Sequence, residues 1–152
     1  MSIEGQKIYP GDEATPQQVL QLADEYRRAA VALQTIGRRR KPLSRAPYRL
    51  AAIHAIELYL NALLMACGGY SSAKLRSLHH DLAQRRVLAA RVGLQLRKRT
   101  ADHLEALSKA REYLVMRYGP EMSAKVSQLN RLEATLDEIA EKVSASINSK
   151  RS

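Results

Sequence analysis

One polar stripe interrupts the most apolar segment of the chain, residues 47–67. His54, Glu57 and Asn61 follow one another at intervals of three and four, so they share one side of a helix. A carboxylate buried without a partner is very costly, and Glu57 therefore needs a cation close by. Arg117 suits that role, or else it bonds the carbonyl groups at the end of its own helix. We interpret His54 as a packed polar residue paired with Glu57.

A second polar cluster, His79-His80-Asp81, contains two of the four histidines. Metal binding needs further ligands, and neither an HxxxH pattern nor a nearby cysteine supplies them. We therefore expect no metal and no cofactor. The structural interpretation is that Asp81 caps a helix and that His80 anchors the loop before it. Cys67 is the one cysteine, which excludes an intrachain disulfide and favours a reducing cytoplasm.

The net charge of +10 is concentrated in the middle of the chain. Residues 38–99 carry 14 basic residues and two acids, whereas residues 1–37 are slightly acidic and residues 100–152 are neutral. Such concentration favours an anionic partner, nucleic acid first. The alternatives are a solvated basic surface or arginines that cap the preceding helix. The residues expected to contact phosphates are Arg38, Arg39, Arg40, Lys41, Arg85, Arg86, Lys98 and Arg99.

Helical periodicity runs through the chain, and no strand pattern or repeat interrupts it. We predict an all-α protein, an up-and-down bundle of four to five antiparallel helices. Residues 1–14 are expected to form a flexible arm, residues 15–147 the bundle and residues 148–152 a disordered tail. No apolar run approaches the roughly 20 residues that span a bilayer, and the start lacks the features of a signal peptide.

The helix boundaries follow from capping residues, glycines and prolines. Thr15 and Gln18 predict a capping box around Pro16, and Gly37 is expected to stop the helix that begins there. Thr100 is expected to cap a later helix. The last helix carries an amphipathic stripe that either completes the bundle or pairs with another subunit. The predicted helices span residues 15–36, 47–67, 81–93, 100–118 and 123–147.

Three short motifs occur together over about residues 20–120. They are "AIHAIELYLNALLMACGG", "LHHDLAQ" and "LVMRYGPE". Through their order and spacing the chain resembles the HEPN family, the higher eukaryotes and prokaryotes nucleotide-binding domain. The matching positions are Glu57 in the helical motif, His80 and Asp81 in the "HDL" turn, and Arg117 and Tyr118 in the late "RYP".

Two positions depart from the family pattern. Asn61 stands where the family has a lysine, so the cation that would partner Glu57 is missing, and a Glu57–Arg117 pair would supply it. Gly119 is inserted into the "RYP" and shifts the helix end. The resemblance implies a bundle of four or five helices, a homodimer, and binding or cutting of RNA. It also implies a nucleotidyltransferase partner of the toxin–antitoxin type.

Family members that cleave RNA carry an arginine followed four to six residues later by a histidine. Two pairs here have that spacing, Arg49 with His54 and Arg97 with His103. The implied reaction is metal-independent: the histidine transfers the proton of the 2′-hydroxyl, and the arginine stabilises the charged transition state. Arg49 and His54 point about 140° apart on one helix, so they would meet only across a dimer or at a frayed helix start.

The sequence therefore supports two main classes of function. One is binding of RNA or a nucleotide through the basic middle, with ribonuclease activity of the toxin–antitoxin type. The alternative is a non-catalytic protein-interaction or antitoxin-like module whose last helix docks on another chain, and a bundle that binds a small ligand is a third. Tyrosine is the one aromatic residue type, which argues against dedicated reading of single strands.

Overall fold

The protein is all-helical, as predicted. A computed structural model describes residues 8–151, and 76% of the chain is helix. The described residues contain no strand, but they include an isolated bridge between Arg38 and Lys41. The helices are more numerous than expected, and the predicted ones other than α2 are shorter. They are α1 (Pro16–Leu33), α2 (Ala46–Gly68), α3 (Ser72–Ser77), α4 (Leu82–Arg91), α5 (Lys98–Ala110), α6 (Glu112–Tyr118) and α7 (Leu129–Arg151).

Helix α2 lies at the centre of the protein. Its sequence is apolar on almost every side, and more than half of its 23 residues are buried. Helices α1, α4, α6 and α7 all pack against it. Gly69 ends the helix with a left-handed φ of 66°, a conformation that glycine adopts without a steric penalty. The predicted innermost helix, residues 47–67, is thus confirmed to within one residue at each end.

The segment Pro42–Gly68 is long and apolar enough to cross a membrane, judged by length and composition alone. This finding corrects the expectation that no run approaches that length. However, 56% of its most apolar window is buried inside the protein, and the core helix of a globular protein passes the same test. We therefore assign α2 to the protein core.

Helix α1 begins at the predicted capping box. Thr15 Oγ1 accepts a hydrogen bond from the Gln18 backbone N–H at 3.1 Å, and Gln18 Oε1 accepts one from the Thr15 N–H at 2.9 Å. The helix ends in a short 3₁₀ turn before Gly37. Gly37 follows this turn directly, so the predicted stop is confirmed, and its φ of −67° lies outside the left-handed region. A Cβ there would lie 2.5 Å from the Arg45 guanidinium, so a larger residue would displace that side chain.

The segment before α1 contacts α3. Asp12 forms an ion pair with Arg76 and accepts a hydrogen bond from the Ser72 hydroxyl. The Arg76 guanidinium also lies 4.0 Å from the centroid of the Tyr9 ring. The arm that we predicted to be flexible over residues 1–14 is therefore anchored in its second half. Residues 1–7 lie outside the described residues.

Side-chain caps fix the two helices that follow α2. Ser71 Oγ accepts the Lys74 backbone N–H at 3.1 Å at the start of α3. Asp81 Oδ1 accepts the Gln84 N–H at 3.1 Å at the start of α4, which confirms the predicted cap. Helix α4 packs on α2 and α5, so the "HDL" turn lies beside the polar stripe of α2.

The predicted fourth helix is in fact two helices. Helix α5 has Arg97 at its N-cap, and Thr100 lies within the first turn instead of capping it. Arg111 separates α5 from α6 with a left-handed φ of 49°. Glu112, the next residue, is buried and paired with Arg49 on α2 at 3.2 Å, which fixes the position of the break.

Helix α7 completes the core of the protein. It begins at Leu129, later than the predicted start near residue 123, and it continues to Arg151. The tail that we expected to be disordered from residue 148 is therefore helical through residue 151, and residue 152 lies outside the described part. Helix α7 packs on α2 and α5. Its buried residues are Leu132, Thr135, Leu136, Ile139, Ala140, Val143 and Ile147.

Candidate functional site

The polar stripe of α2 meets the loop that leads into α4. Glu57 Oε1 lies 2.9 Å from His80 Nδ1, and Glu57 Oε2 lies 3.9 Å from Arg85 Nη2. The Glu57 side chain is 12% exposed, so these two groups compensate a largely buried carboxylate. His80 thereby anchors its loop to α2, as predicted.

Arg85 holds the structure together and does not contact solvent as a phosphate-binding residue would. Its side chain is 2% exposed. It donates to Asn61 Oδ1 at 2.8 Å and to the carbonyl oxygens of Leu75 and Asp81 at 3.2 Å each. Burial lowers the pKa of its guanidinium, and the charge of Glu57 opposes that effect. Asn61 therefore binds the charged Arg85 side chain at the position where the HEPN pattern has a lysine of its own. The predicted contact of Arg85 with a phosphate is wrong, because its side chain is buried.

Arg117 and Tyr118 lie at the C-terminal end of α6. The Arg117 guanidinium stands 4.9 Å from the Tyr118 ring centroid and 5.9 Å from that of Tyr113. Among the described residues Arg117 forms no ion pair with a carboxylate. The predicted pair of Arg117 and Glu57 is therefore wrong, and Glu57 contacts His80 and Arg85 instead. The charge of Arg117 remains exposed.

His54 packs against Tyr26 of α1. The two ring centroids are 4.5 Å apart and the planes are nearly perpendicular, an edge-to-face arrangement. Burial lowers the pKa of His54, while the charge of Glu57 raises it by less, so His54 is neutral at pH 7. His54 is therefore a packed polar residue, as predicted. It packs on the Tyr26 ring and is not paired with Glu57, whose oxygens face His80 and Arg85.

A cavity of about 420 Å³ opens beside the stripe, between α1, α2 and α6. Its floor is apolar and comes from the N-terminal half of α2. A second groove of about 840 Å³ shares part of the stripe with it. We call the first of these the stripe cavity. Its polar and aromatic lining comprises Tyr26, His54, Glu57, His80, Tyr113 and Arg117.

Arg49 and His54, the first candidate ribonuclease pair, are not brought together. The Arg49 guanidinium lies 3.2 Å from Glu112, and the two side chains are 9% and 1% exposed. Glu112 also accepts hydrogen bonds from the backbone N–H of Ser127 at 3.0 Å and from its hydroxyl at 2.9 Å. The charge of Arg49 is therefore neutralised inside the protein, away from the His54–Tyr26 contact.

Arg97 and His103, the second candidate pair, are not assembled either. His103 is 5% exposed, and its Nδ1 lies 2.7 Å from Thr135 Oγ1. Burial, assisted by two nearby arginine charges, lowers the pKa of His103 to about 4. Arg97 is exposed, and its backbone N–H donates to Glu138 at 2.8 Å. A buried histidine does not reach the 2′-hydroxyl of a bound RNA.

A strongly basic surface lies on the turn between α1 and α2, where Arg38, Arg39, Arg40 and Lys41 are all exposed. Ser44 Oγ accepts the Arg38 N–H at 2.7 Å and donates to the Lys41 carbonyl at 2.6 Å. Arg40 has a left-handed φ of 61°. The four adjacent charges are therefore carried on a hydrogen-bonded turn of fixed shape.

This turn borders a cleft of about 350 Å³, which we call the basic cleft. The opposite wall comes from the segment before α7, including Ser123, and from Leu129 at the start of α7. No aspartate or glutamate lines it within the described part of the chain. Arg45 is a site residue that our sequence reasoning did not single out, although it belongs to the same basic run. The basic lining residues are Arg38, Arg39, Arg40, Lys41, Arg45 and Arg49.

In the second basic segment, residues 85–99, three of the six basic side chains are paired with acids. Arg86 Nε donates to Glu105 Oε1 at 2.8 Å, and Lys98 pairs with Asp102 at 2.8 Å. Arg99 is exposed and forms no ion pair among the described residues. The residues predicted to contact phosphates therefore form two groups. Those before α2 form no ion pair among the described residues, whereas most of those in α4 and α5 are paired with an acid.

No group of three or more metal-binding side chains occurs in the described residues. Protein-family profiles, curated proteins and solved structures give no match to this chain. The resemblance to the HEPN family therefore rests on the motifs themselves. Two of them meet in space, through the contact between Glu57 and His80.

Proposed function

We propose that this chain is a HEPN-like protein that binds RNA or a nucleotide through the basic cleft. One observation carries the proposal: six basic side chains line the cleft, and all of them except Arg49, which is paired with Glu112, lack an ion pair among the described residues. Arginine and lysine side chains bind phosphates directly and release the counterions that surround a polyanion. An uncompensated cluster of this kind is therefore a favourable site for phosphates.

The conformation of the basic turn supports the same ligand class. Arg40 occupies a left-handed conformation that a glycine would adopt without strain. Strained backbone of this kind concentrates at functional sites, where a particular side chain is needed. An arginine at this position therefore supports a role for its charge in binding.

The family resemblance supplies the remaining parts of the proposal. The contact between Glu57 and His80 joins the helical motif to the "HDL" turn, which supports a common layout. On this basis we propose an up-and-down arrangement of antiparallel helices, a homodimer, a cytoplasmic location and a nucleotidyltransferase partner of the toxin–antitoxin type.

Binding is better supported than cleavage by either arginine–histidine pair. Arg49 is paired with Glu112 inside the protein, and His103 is buried against Thr135. Both would have to leave these partners before they reached an RNA backbone. The alternative of a protein-interaction module depended on a free apolar face of α7, and that face is buried against α2 and α5.

Fluorescence anisotropy with a labelled RNA of about 20 nucleotides tests the proposal over a range of salt concentrations. We expect binding at about 50 mM salt that weakens steeply at higher salt, because phosphate contacts release counterions. The variant Arg38→Gln/Arg39→Gln/Lys41→Gln should weaken binding. It should also lower the slope of log affinity against log salt by about 2 if each residue contacts one phosphate of a single strand.

A matched control removes the same charge elsewhere. Lys74, Arg91 and Lys109 are exposed and lie outside the basic cleft, so their replacement by glutamine changes the net charge equally. This variant should keep most of the affinity and of the salt slope. Equal losses in the two variants, or no binding of wild type at about 50 mM salt, would contradict the proposal.

A further inference from the structure

Ser44 closes the basic turn, residues 38–41, through its side chain. Its Oγ accepts a hydrogen bond from the Arg38 backbone N–H at 2.7 Å and donates one to the Lys41 carbonyl oxygen at 2.6 Å. These two residues are the first and the last of the four consecutive basic residues. Ser44 is not among the residues that line the basic cleft, so any effect of its hydroxyl on a ligand passes through the backbone of the turn.

Backbone hydrogen bonds complete the closed form of the turn. The Lys41 N–H donates to the Arg38 carbonyl oxygen at 3.2 Å, and the Ser44 N–H donates to the Lys41 carbonyl oxygen at 3.0 Å. Arg40, inside the turn, has a φ of 61°, which is a disfavoured conformation for an arginine. The turn therefore depends on its hydrogen bonds, and the Ser44 hydroxyl adds two to those of the backbone.

Arg45 fixes the base of the same turn. Its guanidinium occupies the space beside Gly37, because a Cβ built on Gly37 would lie 2.5 Å from Arg45 Nη1. Arg45 directly follows Ser44, and Gly37 directly precedes Arg38, so the two contacts lie next to each other. The segment 37–45 is thus a closed loop whose shape depends on two neighbouring side chains.

The charges of the turn oppose its closure. Its four basic side chains are exposed and form no ion pair among the described residues. Like charges repel one another, and a hydrogen-bonded turn holds them closer together than an open segment does. Repulsion therefore favours an open form of the turn, and the Ser44 bonds oppose it.

A ligand that requires the closed turn binds with an affinity that depends on the closed fraction. The apparent dissociation constant equals the intrinsic constant divided by the fraction of binding-competent molecules. A change in that fraction shifts the affinity by about the same factor at every salt concentration. The loss of a phosphate contact, in contrast, changes the slope of log affinity against log salt. The two kinds of residue can therefore be told apart by titration.

We infer that Ser44 is the positioning residue that regulates the basic cleft: its hydroxyl keeps the turn closed, and the closed turn is the form that binds phosphates. This inference rests on the proposed binding of RNA or a nucleotide. Binding and closure are linked, so a bound phosphate in turn stabilises the closed form by compensating the repulsion among the basic side chains.

Ser44→Ala tests this role, because it removes the hydroxyl and leaves every charge in place. In anisotropy titrations with the same labelled RNA, the affinity should fall about 5- to 10-fold, since hydrogen bonds of the closed turn are lost. The salt slope should remain that of wild type, unlike the slope of the triple glutamine variant. Ser44→Thr keeps a hydroxyl and should restore most of the affinity.

Ser77→Ala is the matched control. Ser77 Oγ donates to the carbonyl oxygen of Lys74, three residues earlier, as Ser44 Oγ donates to that of Lys41. Ser77 is exposed in α3 and lies outside the basic cleft, so its replacement should leave the affinity and the salt slope unchanged. Thermal unfolding checks that each variant is folded. Ser44→Cys, whose thiol is a weak donor, takes the place of Ser44→Ala if that variant does not fold.

Hydrogen exchange of the Arg38 amide, measured by NMR, reports closure without RNA. Because the Ser44 hydroxyl accepts from this N–H, the amide should exchange about 5-fold or more faster in Ser44→Ala than in wild type. Bound RNA should slow the exchange in wild type.

Several outcomes would overturn this inference and leave RNA binding intact. They are equal exchange of the Arg38 amide in wild type and Ser44→Ala, equal affinities of these two proteins for RNA, equal losses in Ser44→Ala and Ser77→Ala, and a lower salt slope in Ser44→Ala. A wild type that binds no RNA at about 50 mM salt would overturn both proposals.

Discussion

At the scale of single residues, burial decides which charges are free to act. Arg49 and Arg85 are basic residues of the charged middle region, yet both are almost fully buried with polar partners. Removing one member of such a pair leaves an uncompensated charge in the interior, so these arginines stabilise the packing of α2 against α6 and α4. The exposed His80, in contrast, combines a buried partner with access to solvent.

The buried His103 makes the stability of the protein depend on pH. Its folded pKa of about 4 lies below the ordinary value of 6.5, so the unfolded chain binds more protons between these values. The stabilisation is complete above pH 6.5 and is lost as pH falls toward 4. We expect this residue alone to reduce the free energy of unfolding by about 2 kcal/mol between pH 7 and pH 5.

Urea unfolding between pH 7 and pH 5 measures this effect in wild type and in His103→Gln. The variant should lose less stability across the interval, because glutamine does not titrate. His79→Gln is the control, since His79 is exposed, and it should keep the wild-type dependence. If wild type and His103→Gln lose the same free energy of unfolding between pH 7 and pH 5, His103 is not buried as a neutral group.

At the scale of elements, local hydrogen bonds begin the helices, and tertiary contacts end or divide them. Thr15 and Asp81 cap α1 and α4 with side chains that bond backbone groups three residues further along. Arg111, in contrast, breaks the segment between α5 and α6 at a position where no glycine or proline occurs. The break coincides with the buried pair of Glu112 and Arg49.

The basic turn yields a prediction at this scale. Arg40→Gly should stabilise the protein by about 0.5–1 kcal/mol, because glycine relieves the strain of a left-handed residue by more than it adds to the entropy of the unfolded chain. The same change should weaken RNA binding, because one charge of the turn is lost. Thermal unfolding and anisotropy measure the two effects.

Arg39→Gly is the matched control for this prediction. It removes one charge from the same turn, but Arg39 is not among the residues with positive φ. Arg39→Gly should lower stability slightly, and it should weaken RNA binding by about as much as Arg40→Gly does. If Arg40→Gly is as destabilising as Arg39→Gly, the turn does not hold Arg40 in a strained conformation.

At the scale of the whole molecule, one helix organises the core, and charge is sorted around it. Helix α2 has α1, α4, α6 and α7 as neighbours, so it takes part in most of the packing between helices. The basic turn and the stripe cavity lie next to its N-terminal half. Residues of α2 thus line both the stripe cavity and the basic cleft.

The role of α7 in this core can be tested by truncating one side chain. Ile139 is fully buried, so Ile139→Ala should lower the free energy of unfolding by about 2–5 kcal/mol. Ile36 is 56% exposed, and Ile36→Ala should change it by less than about 0.5 kcal/mol. A small effect at Ile139, measured by urea unfolding, would mean that α7 leaves the core and presents its apolar face to a partner.

Part of the candidate site could be predicted from the sequence, and part could not. The basic run before α2 and the anchoring of the loop by His80 were both predicted, because they depend on adjacent residues and on one short motif. The partner of Glu57 was predicted as Arg117, but it is supplied by His80 and Arg85. Choosing among several cations requires the relative positions of helices, which no local pattern contains.

The sequence by itself determined the helical content, the central place of α2 and the starts of α1 and α4. These features arise from periodicity and from hydrogen bonds that span three or four residues. Only the tertiary structure decided that Arg85, Arg49 and His103 are buried, that α5 and α6 are separate, and that Gly37 makes room for Arg45. Burial and pairing between distant residues depend on which faces of the helices pack together, and that is fixed by the fold as a whole.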